Sequence, residues 1–432
     1  MATAAPRSSA FLTRAAIVAV GSELLGTTRV DTNSLFITEQ LNGIGIEVSF
    51  KSVVGDDRAT LGHVFRSALS QTDLVVVCGG LGPTDDDLTR EAVAEALGRP
   101  LREDAAVADH LRRRFAARGY ATAMPQNNLR QALVPAGADV IENANGSAPG
   151  LWIDHQEQVV VLLPGPPREL KPMLSALVDS RLRARSTGTS IVRRVLRVTG
   201  QFESHVDQLL QPLYREWAAA APPISATILA ALGQIELHLS VRHASLAGAG
   251  TILEAATGQV LGVLGDDVFS TDGRRLEEVV GDALASRGLW IAAAESCTGG
   301  LLTSRLTDVA GSSRYVGQSV VVYANEAKTA LAGVAPALLA EHGAVSEPVA
   351  RAMADGIRTR SGADLGLGVT GIAGPGGGSA EKPVGTVAVA LSTAEGTRSR
   401  LFRFFGEREL VKFQASQAAL DMARRHLLST TL

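Results

Sequence analysis

The sequence predicts an α/β protein: two parallel-sheet α/β domains joined by a small α+β module. Three observations predict it. Short, continuously apolar runs at 15–20, 73–78 and 289–294 alternate with helical patterns, as strands buried on both faces of a parallel sheet do. Glycine-rich turns follow the runs at 73–78 and 364–369, where open α/β sheets meet their ligands. Between about 176 and 270 the pattern changes: Ile235, Leu237, Leu239 and Val241 alternate with polar residues, so one face of that strand meets water.

Taken in order, residues 1–12 read as a disordered tail. Strand 15–20 is followed by a helix from Thr32, a strand at 46–53, helix 58–70, strand 73–78 and helix 88–97. Apolar runs at 150–153 and 159–163 precede a helix from Arg168, closing a first domain at 13–175. The module at 176–270 holds strand 191–198, a helix near 203–210, strands 224–229 and 234–241, and a helix near 249–263. After a linker at 266–273 the last domain, 274–432, opens with a helix at 274–287. It continues through strand 289–294, helix 298–309, strand 319–323, helices 326–332 and 347–360, strands 364–369, 384–391 and 399–405, and helix 409–428. Three of these strands have parallel character and two suit antiparallel pairing, giving an α/β/α sandwich.

The chain of 432 residues is 46% hydrophobic and 20% charged, ordinary for a globular protein, and ample for sizeable cores. Its net charge of −3 provides no electrostatic footprint for nucleic acid. No apolar run approaches the ~20 residues that span a bilayer, and the apolar stretch near the N-terminus is broken by Arg14, against a signal peptide. Two cysteines, Cys78 and Cys297, suggest a reducing cytoplasm rather than a disulfide framework.

Candidate chemistry gathers in two places. Ser296, in Glu295-Ser296-Cys297-Thr298-Gly299-Gly300, falls on a strand-to-helix turn, near unpaired helix-start amides that would suit an oxyanion. Asn325 reads as the N-cap of the next helix, with Lys328 in its first turn. There the macrodipole and burial would favour a neutral amine, able to activate a hydroxyl without histidine. Tyr323 could orient the pair, and the glycine-rich loop after Thr370 offers backbone N–H groups to an anion. Cys297 is a rival nucleophile because a helix N-terminus favours thiolate; neighbours on a turn point apart, so only one is expected to face the pocket. Glu295 could be an ion-pair partner or a pocket wall. The second place is Gly79-Gly80-Leu81-Gly82-Pro83-Thr84-Asp85-Asp86-Asp87, where glycines would admit a phosphate and the aspartates would require a bridging divalent cation. Asp86 or Asp87 could equally cap the helix that follows.

The segments AESCTGG, VVYANEAK, HGAVSE, TGIAGPGGG and KPVGTV occur in the order of the PncC amidohydrolases, a resemblance covering about 274–432. It implies hydrolysis of nicotinamide mononucleotide to nicotinate mononucleotide and ammonia without a cofactor. Ser296 would be the nucleophile, Lys328 its base and Tyr323 the supporting hydroxyl. Thr298, Gly299, Thr370, Gly371, Ala373 and Gly374 would surround the substrate, and Arg408 would meet its phosphate. The segment 79–91 resembles the MoaB/MogA molybdopterin-binding fold, whose acidic positions fall on Asp31 and Asp87. Leu81 and Asp86 depart from that pattern and argue against molybdopterin.

Together the two resemblances identify the chain as a member of the CinA family. They imply metal-dependent cleavage of ADP-ribose-like pyrophosphates in the first domain. There Gly79, Gly80, Gly82 and Thr84 would hold the phosphates, and Asp31, Asp85, Asp86 and Asp87 the ion. They also imply a KH-like middle module lacking an RNA-binding loop, and a homodimer. The family's other suggested role, a scaffold in competence or DNA repair, would need a basic surface.

Overall fold

In the computed structural model of the chain, residues 11–117, 124–231 and 233–429 are described. The chain divides into two compact units, Met1–Val192 with Val241–Gly250, and Arg193–Ser240 with Thr251–Leu432. Among the described residues no helix is long and apolar enough to cross a membrane. The expected tail lies outside the described residues up to position 10. Leu12 is already buried, its N–H bonded to the Arg185 carbonyl.

The first unit is built on β1 (Arg14–Val20), β2 (Glu47–Val54), β3 (Leu74–Cys78), β4 (Leu101–Glu103), β5 (Leu133–Pro135), β6 (Asp139–Ile141), β7 (Gly150–His155) and β8 (Gln158–Leu163). Its helices are α1 (Asn33–Asn42), α2 (Arg58–Gln71), α3 (Thr89–Ala96), α4 (Ala105–Ala117) and α5 (Pro167–Leu177). The six-stranded sheet runs β2-β1-β3-β8-β7-β6, while β4 and β5 form a separate pair. Period-two alternation sends Ala15, Ile17 and Ala19 toward α1 and α5, and Ala16, Val18 and Val20 toward α2 and α3, so both faces are covered. The strands β2, β1, β3 and β8 are parallel. By contrast β7 and β6 are antiparallel, because β7 reaches β8 through Gln156 and Glu157 alone, far too short for a crossover. The helix α4 and the strands β4 to β6 lack a strong period and went unread in the sequence.

Four strands follow: β9 (Ser190–Val198), β10 (Ile224–Ala231), β11 (Gln234–His243) and β12 (Val268–Ser270), paired in the order β10-β11-β9-β12. With them come α6 (Glu203–Ala219), longer than its sequence pattern, and α7 (Leu246–Leu264).

The rest of the second unit comprises α8 (Leu276–Arg287), β13 (Ile291–Glu295), α9 (Leu301–Thr307), β14 (Val320–Val321), α10 (Asn325–Ala332), α11 (Pro336–His342), α12 (Glu347–Ser361), β15 (Leu365–Gly371), β16 (Thr386–Thr393), β17 (Gly396–Arg403) and α13 (Arg408–Ser429). The sheet order is β14-β13-β15-β16-β17. The first three strands are parallel and the last two antiparallel, as their sequence suggested. Ile291 and Ala293 pack with α8, α9 and α13, whereas Ala292 and Ala294 pack with α10 and α12. A Cβ on Gly366 or Gly368 would stand 2.3 or 2.2 Å from the Ala354 or Ala350 carbonyl, so α12 seats on β15 only because both are glycine.

Candidate active site

Ser296 follows the last residue of β13, Tyr323 and Lys328 follow β14, and Thr370 and Gly371 end β15. All three strands are parallel, so these residues emerge together at the carboxyl edge of the sheet, where crevices of open α/β sheets lie. The Ser296 N–H donates to the Val369 carbonyl (2.9 Å) and the Val322 N–H to the Glu295 carbonyl (2.7 Å), tying the three strand ends to one another. A cavity of about 200 Å³ opens there, lined by Ser296, Cys297, Tyr323, Asn325, Lys328, Ala344, Val345, Thr370, Gly371, Ala373 and Arg408. No carboxylate stands among these residues.

Lys328 is 2% exposed, and burial holds its pKa below the ordinary lysine value of 10.5. The nearby Cys297 and Glu326 act the other way, but burial prevails. Its Nζ donates to the carbonyls of Val322 and Tyr323, both at 3.1 Å. Two acceptors match the two N–H bonds of a neutral amine and leave its lone pair free; the third hydrogen of an ammonium finds no acceptor in this arrangement.

Tyr323 is 59% exposed and serves the site twice, through different atoms. Its carbonyl holds Lys328, while its hydroxyl accepts from Arg408 Nη2 at 3.0 Å. Arg408 Nη1 donates to the Gly374 carbonyl at 2.7 Å. Gly374 thus contributes an acceptor that aims Arg408, in place of the expected donor to an anion. The Thr370 hydroxyl donates to the Ala344 carbonyl at 2.8 Å, seating the 343–346 loop against the cavity.

Four expectations need correction. The helix-start amides are already taken: Glu295, 0% exposed, accepts from the N–H groups of Gly300 (3.0 Å), Leu302 (3.1 Å) and Thr303 (2.8 Å) and from the Thr303 hydroxyl (2.6 Å). Glu295 is therefore neither an ion-pair partner nor a pocket wall; it caps α9 from within the core. Thr298 and Gly299 do not line the cavity. The Thr298 side chain is fully buried, and the Gly299 N–H is turned back to the Ser296 carbonyl at 3.1 Å. Ser296 and Cys297 both line the cavity, contrary to the expectation that only one could. Finally, the N-cap of α10 is Ala324, without a side-chain cap, and Asn325 instead faces the cavity.

Glu295→Ala, which orphans these donors, is expected to lower stability by roughly 2–5 kcal/mol, measured by urea denaturation. An unchanged midpoint would mean that the cap does not hold the turn.

In the first unit, the loop after β3 is held by groups the sequence did not flag. The Thr89 hydroxyl donates to the Gly79 carbonyl (2.8 Å) and the Thr89 N–H to the Gly80 carbonyl (3.2 Å). Arg90, 1% exposed, donates to the carbonyls of Leu81 (2.5 Å) and Gly82 (2.9 Å). Asp87 Oδ2 accepts from the Thr84 N–H (2.9 Å) and hydroxyl (2.5 Å). It does not cap α3, whose N-cap is Leu88, and neither does Asp86. Asp31 accepts from the Ser34 N–H at 3.0 Å and from its hydroxyl. Burial, reinforced by the Asp31 charge, pushes the Cys78 thiol up to about 12, so Asp31 stands beside this loop.

Asp85 leans outward on Arg130 at 2.9 Å, and Asp86 is exposed. Among the described residues no group of three or more His, Cys, Asp or Glu could hold a metal ion, so the four aspartates do not gather into a metal cluster. The unit's cavity of about 230 Å³, lined by Asp104, Val107, His110, Val140, Glu142 and Ser147 among others, includes none of Gly79, Gly80, Gly82 or Thr84.

The sequence reading missed Asn325, Ala344, Val345 and Arg90. Ala344 and Val345 sit in HGAVSE, a segment whose resemblance could have pointed to them. Asn325 was masked by its aptness as a cap. A buried arginine just past a glycine turn leaves no signal in a single sequence.

Residues 16–184 match the probable molybdopterin binding domain family and residues 273–427 the CinA C-terminal domain family. A CinA-like protein of Koribacter versatilis is 47% identical over 96% of this chain and 100% of its own length. Another, from Acidobacterium capsulatum, has the same identity and coverage. The crystal structure of the competence/damage inducible protein CihA from Agrobacterium tumefaciens is 40% identical, covering 36% of this chain and 92% of that one, with a TM-score of 0.33. On these matches, spanning nearly its whole length, the chain belongs to the CinA family.

Proposed function

We propose that the second unit is a serine–lysine amidohydrolase that converts nicotinamide mononucleotide to nicotinate mononucleotide and ammonia. The observation that carries this reading is one cavity lined by Ser296, a lysine depressed by burial, and Arg408, with no carboxylate in its wall. Ser296 Oγ attacks the carboxamide carbon while its proton passes to Lys328 Nζ. Lys328 returns that proton to the departing nitrogen, which leaves as ammonia, and an acyl ester remains on Ser296. Water, deprotonated by Lys328, cleaves the ester; the proton returns to Ser296 Oγ as the carboxylate product forms. The oxyanion falls to amides that Glu295 does not occupy, those of Cys297 and Thr298, which now lean on the Cys297 sulfur. Arg408 receives the phosphate. Wild-type protein should release ammonia from nicotinamide mononucleotide stoichiometrically with nicotinate mononucleotide; no release would sink the reading.

For the first unit we propose cleavage of ADP-ribose-like pyrophosphates at the loop after β3. Without a three-ligand cluster, the residues fit only an ion that takes most of its oxygens from water and phosphate, as Mg²⁺ does. Asp31 and Asp87 would hold it, and bound it would polarise a phosphoryl oxygen. The loop itself supplies the Arg90-braced backbone that keeps the turn open. AMP release from ADP-ribose should require added Mg²⁺ or Mn²⁺ and fall at least about tenfold in Asp87→Asn. Release unaffected by a chelator would overturn the proposal.

A further inference from the structure

We infer that Lys412 is the second cation of an anion subsite shared with Arg408, and that this subsite selects substrates bearing a phosphate monoester. The inference rests on the amidohydrolase reading and deepens it. Arg408 and Lys412 stand one turn apart on α13, and so share a helix face. Arg408 is aimed by Gly374 and Tyr323, which occupy Nη1 and Nη2. Lys412 reaches back over the nucleophile turn: a Cβ built on Gly299 would lie 3.7 Å from its Nζ. That places an ammonium beside the turn that carries Ser296, on the side opposite the strand pair that holds Lys328.

Lys412 is half-buried, and among the described residues no carboxylate stands within ion-pair distance of it or of Arg408. Glu407 and Glu409 flank Arg408 in sequence but are exposed and paired with neither cation. Glu295, the nearest buried anion in sequence to Gly299, is committed to the amides of α9. Like charges one turn apart repel and weaken a helix. Here nothing in the chain offsets them, so the offsetting charge comes from a ligand. A phosphate monoester suits the pair: its second ionisation lies near pH 6, so it is close to a dianion at neutral pH, and its three terminal oxygens can accept from both cations. An uncharged nucleoside or the free nicotinamide base offers nothing to this subsite.

The test compares nicotinamide mononucleotide with nicotinamide riboside in wild type, Lys412→Ala and Lys412→Arg. Lys412→Ala should raise KM for the mononucleotide roughly 10- to 100-fold with little change in kcat. The preference for mononucleotide over riboside, as a ratio of kcat/KM, should collapse by the same factor, and Lys412→Arg should restore most of it. The KM of the wild type should also climb more steeply with salt than that of Lys412→Ala. An equal loss on both substrates, or an unchanged preference, would overturn the inference while leaving the amidohydrolase standing. If the wild type releases no ammonia at all, the underlying reading fails instead. Titration of ribose 5-phosphate into wild type and Lys412→Ala then decides the subsite alone: equal affinities reject it, and a loss of about tenfold or more supports it.

Discussion

Ser296→Ala is expected to abolish ammonia release from nicotinamide mononucleotide, by about 10⁴-fold or more, while Cys297→Ala keeps most of it. Both side chains line the cavity, so position does not separate them. Chemistry does. Burial pushes the Cys297 thiol up to about 12; the Glu295 charge adds to this, and the local amides and Lys328 only partly offset it. At neutral pH the sulfur is therefore a thiol, a far weaker nucleophile than its thiolate. It also belongs to the apolar cluster beneath the sheet. A serine hydroxyl needs no prior ionisation, only a base to take its proton during attack, and Lys328 is held for that purpose. Mass spectrometry of intact protein after a rapid quench should show acylation in the wild type and none in Ser296→Ala. Release that persists in Ser296→Ala and disappears in Cys297→Ala would reverse the assignment.

Lys328 should be as indispensable as a general base can be. Lys328→Met is expected to lower kcat by about 10²–10⁴. Lys328→Arg should fare no better, because a guanidinium stays protonated at every accessible pH. In the wild type, kcat/KM should rise with pH along a limb that lies below the ordinary lysine value of 10.5, since burial disfavours the ammonium. A limb at or above 10.5, or an active Lys328→Arg, would remove Lys328 from the mechanism. The same shift predicts a stability effect of definite sign. Where the folded pKa lies below the unfolded 10.5, the unfolded chain binds more protons between the two values, so stability rises with pH across that window. Lys328→Met should flatten that rise.

Much of this site was legible before any coordinates. Ser296, Lys328, Tyr323, Thr370 and Arg408 were all named, because each follows an apolar strand or opens a helix within a motif that resembles the amidohydrolases. Their partners were not legible. Tyr323 and Arg408 are 85 positions apart, yet their side chains meet. Thr370 finds the Ala344 carbonyl 26 residues earlier. The error over the helix-start amides shows the limit from the other side. A serine before a helix does sit near unpaired donors in general, but here the residue before it folds back and takes them.

The sequence by itself determined the layers. Continuous apolar runs can be buried on both faces only in a sheet covered by helices, and helical periodicity supplies those covers. It also determined that the nucleophile, base and anion-binding residues lie at strand or helix ends, because glycine and polar turn residues mark where strands stop. Tertiary structure alone decided how these ends are used. The order β14-β13-β15 brings three distant loops to one edge; long-range carbonyls fix the amine of Lys328, and Glu295 is turned inward to α9. Those choices depend on which backbone groups are left without partners once the sheet has closed. That is a property of the assembled backbone and is encoded in no single segment of the chain.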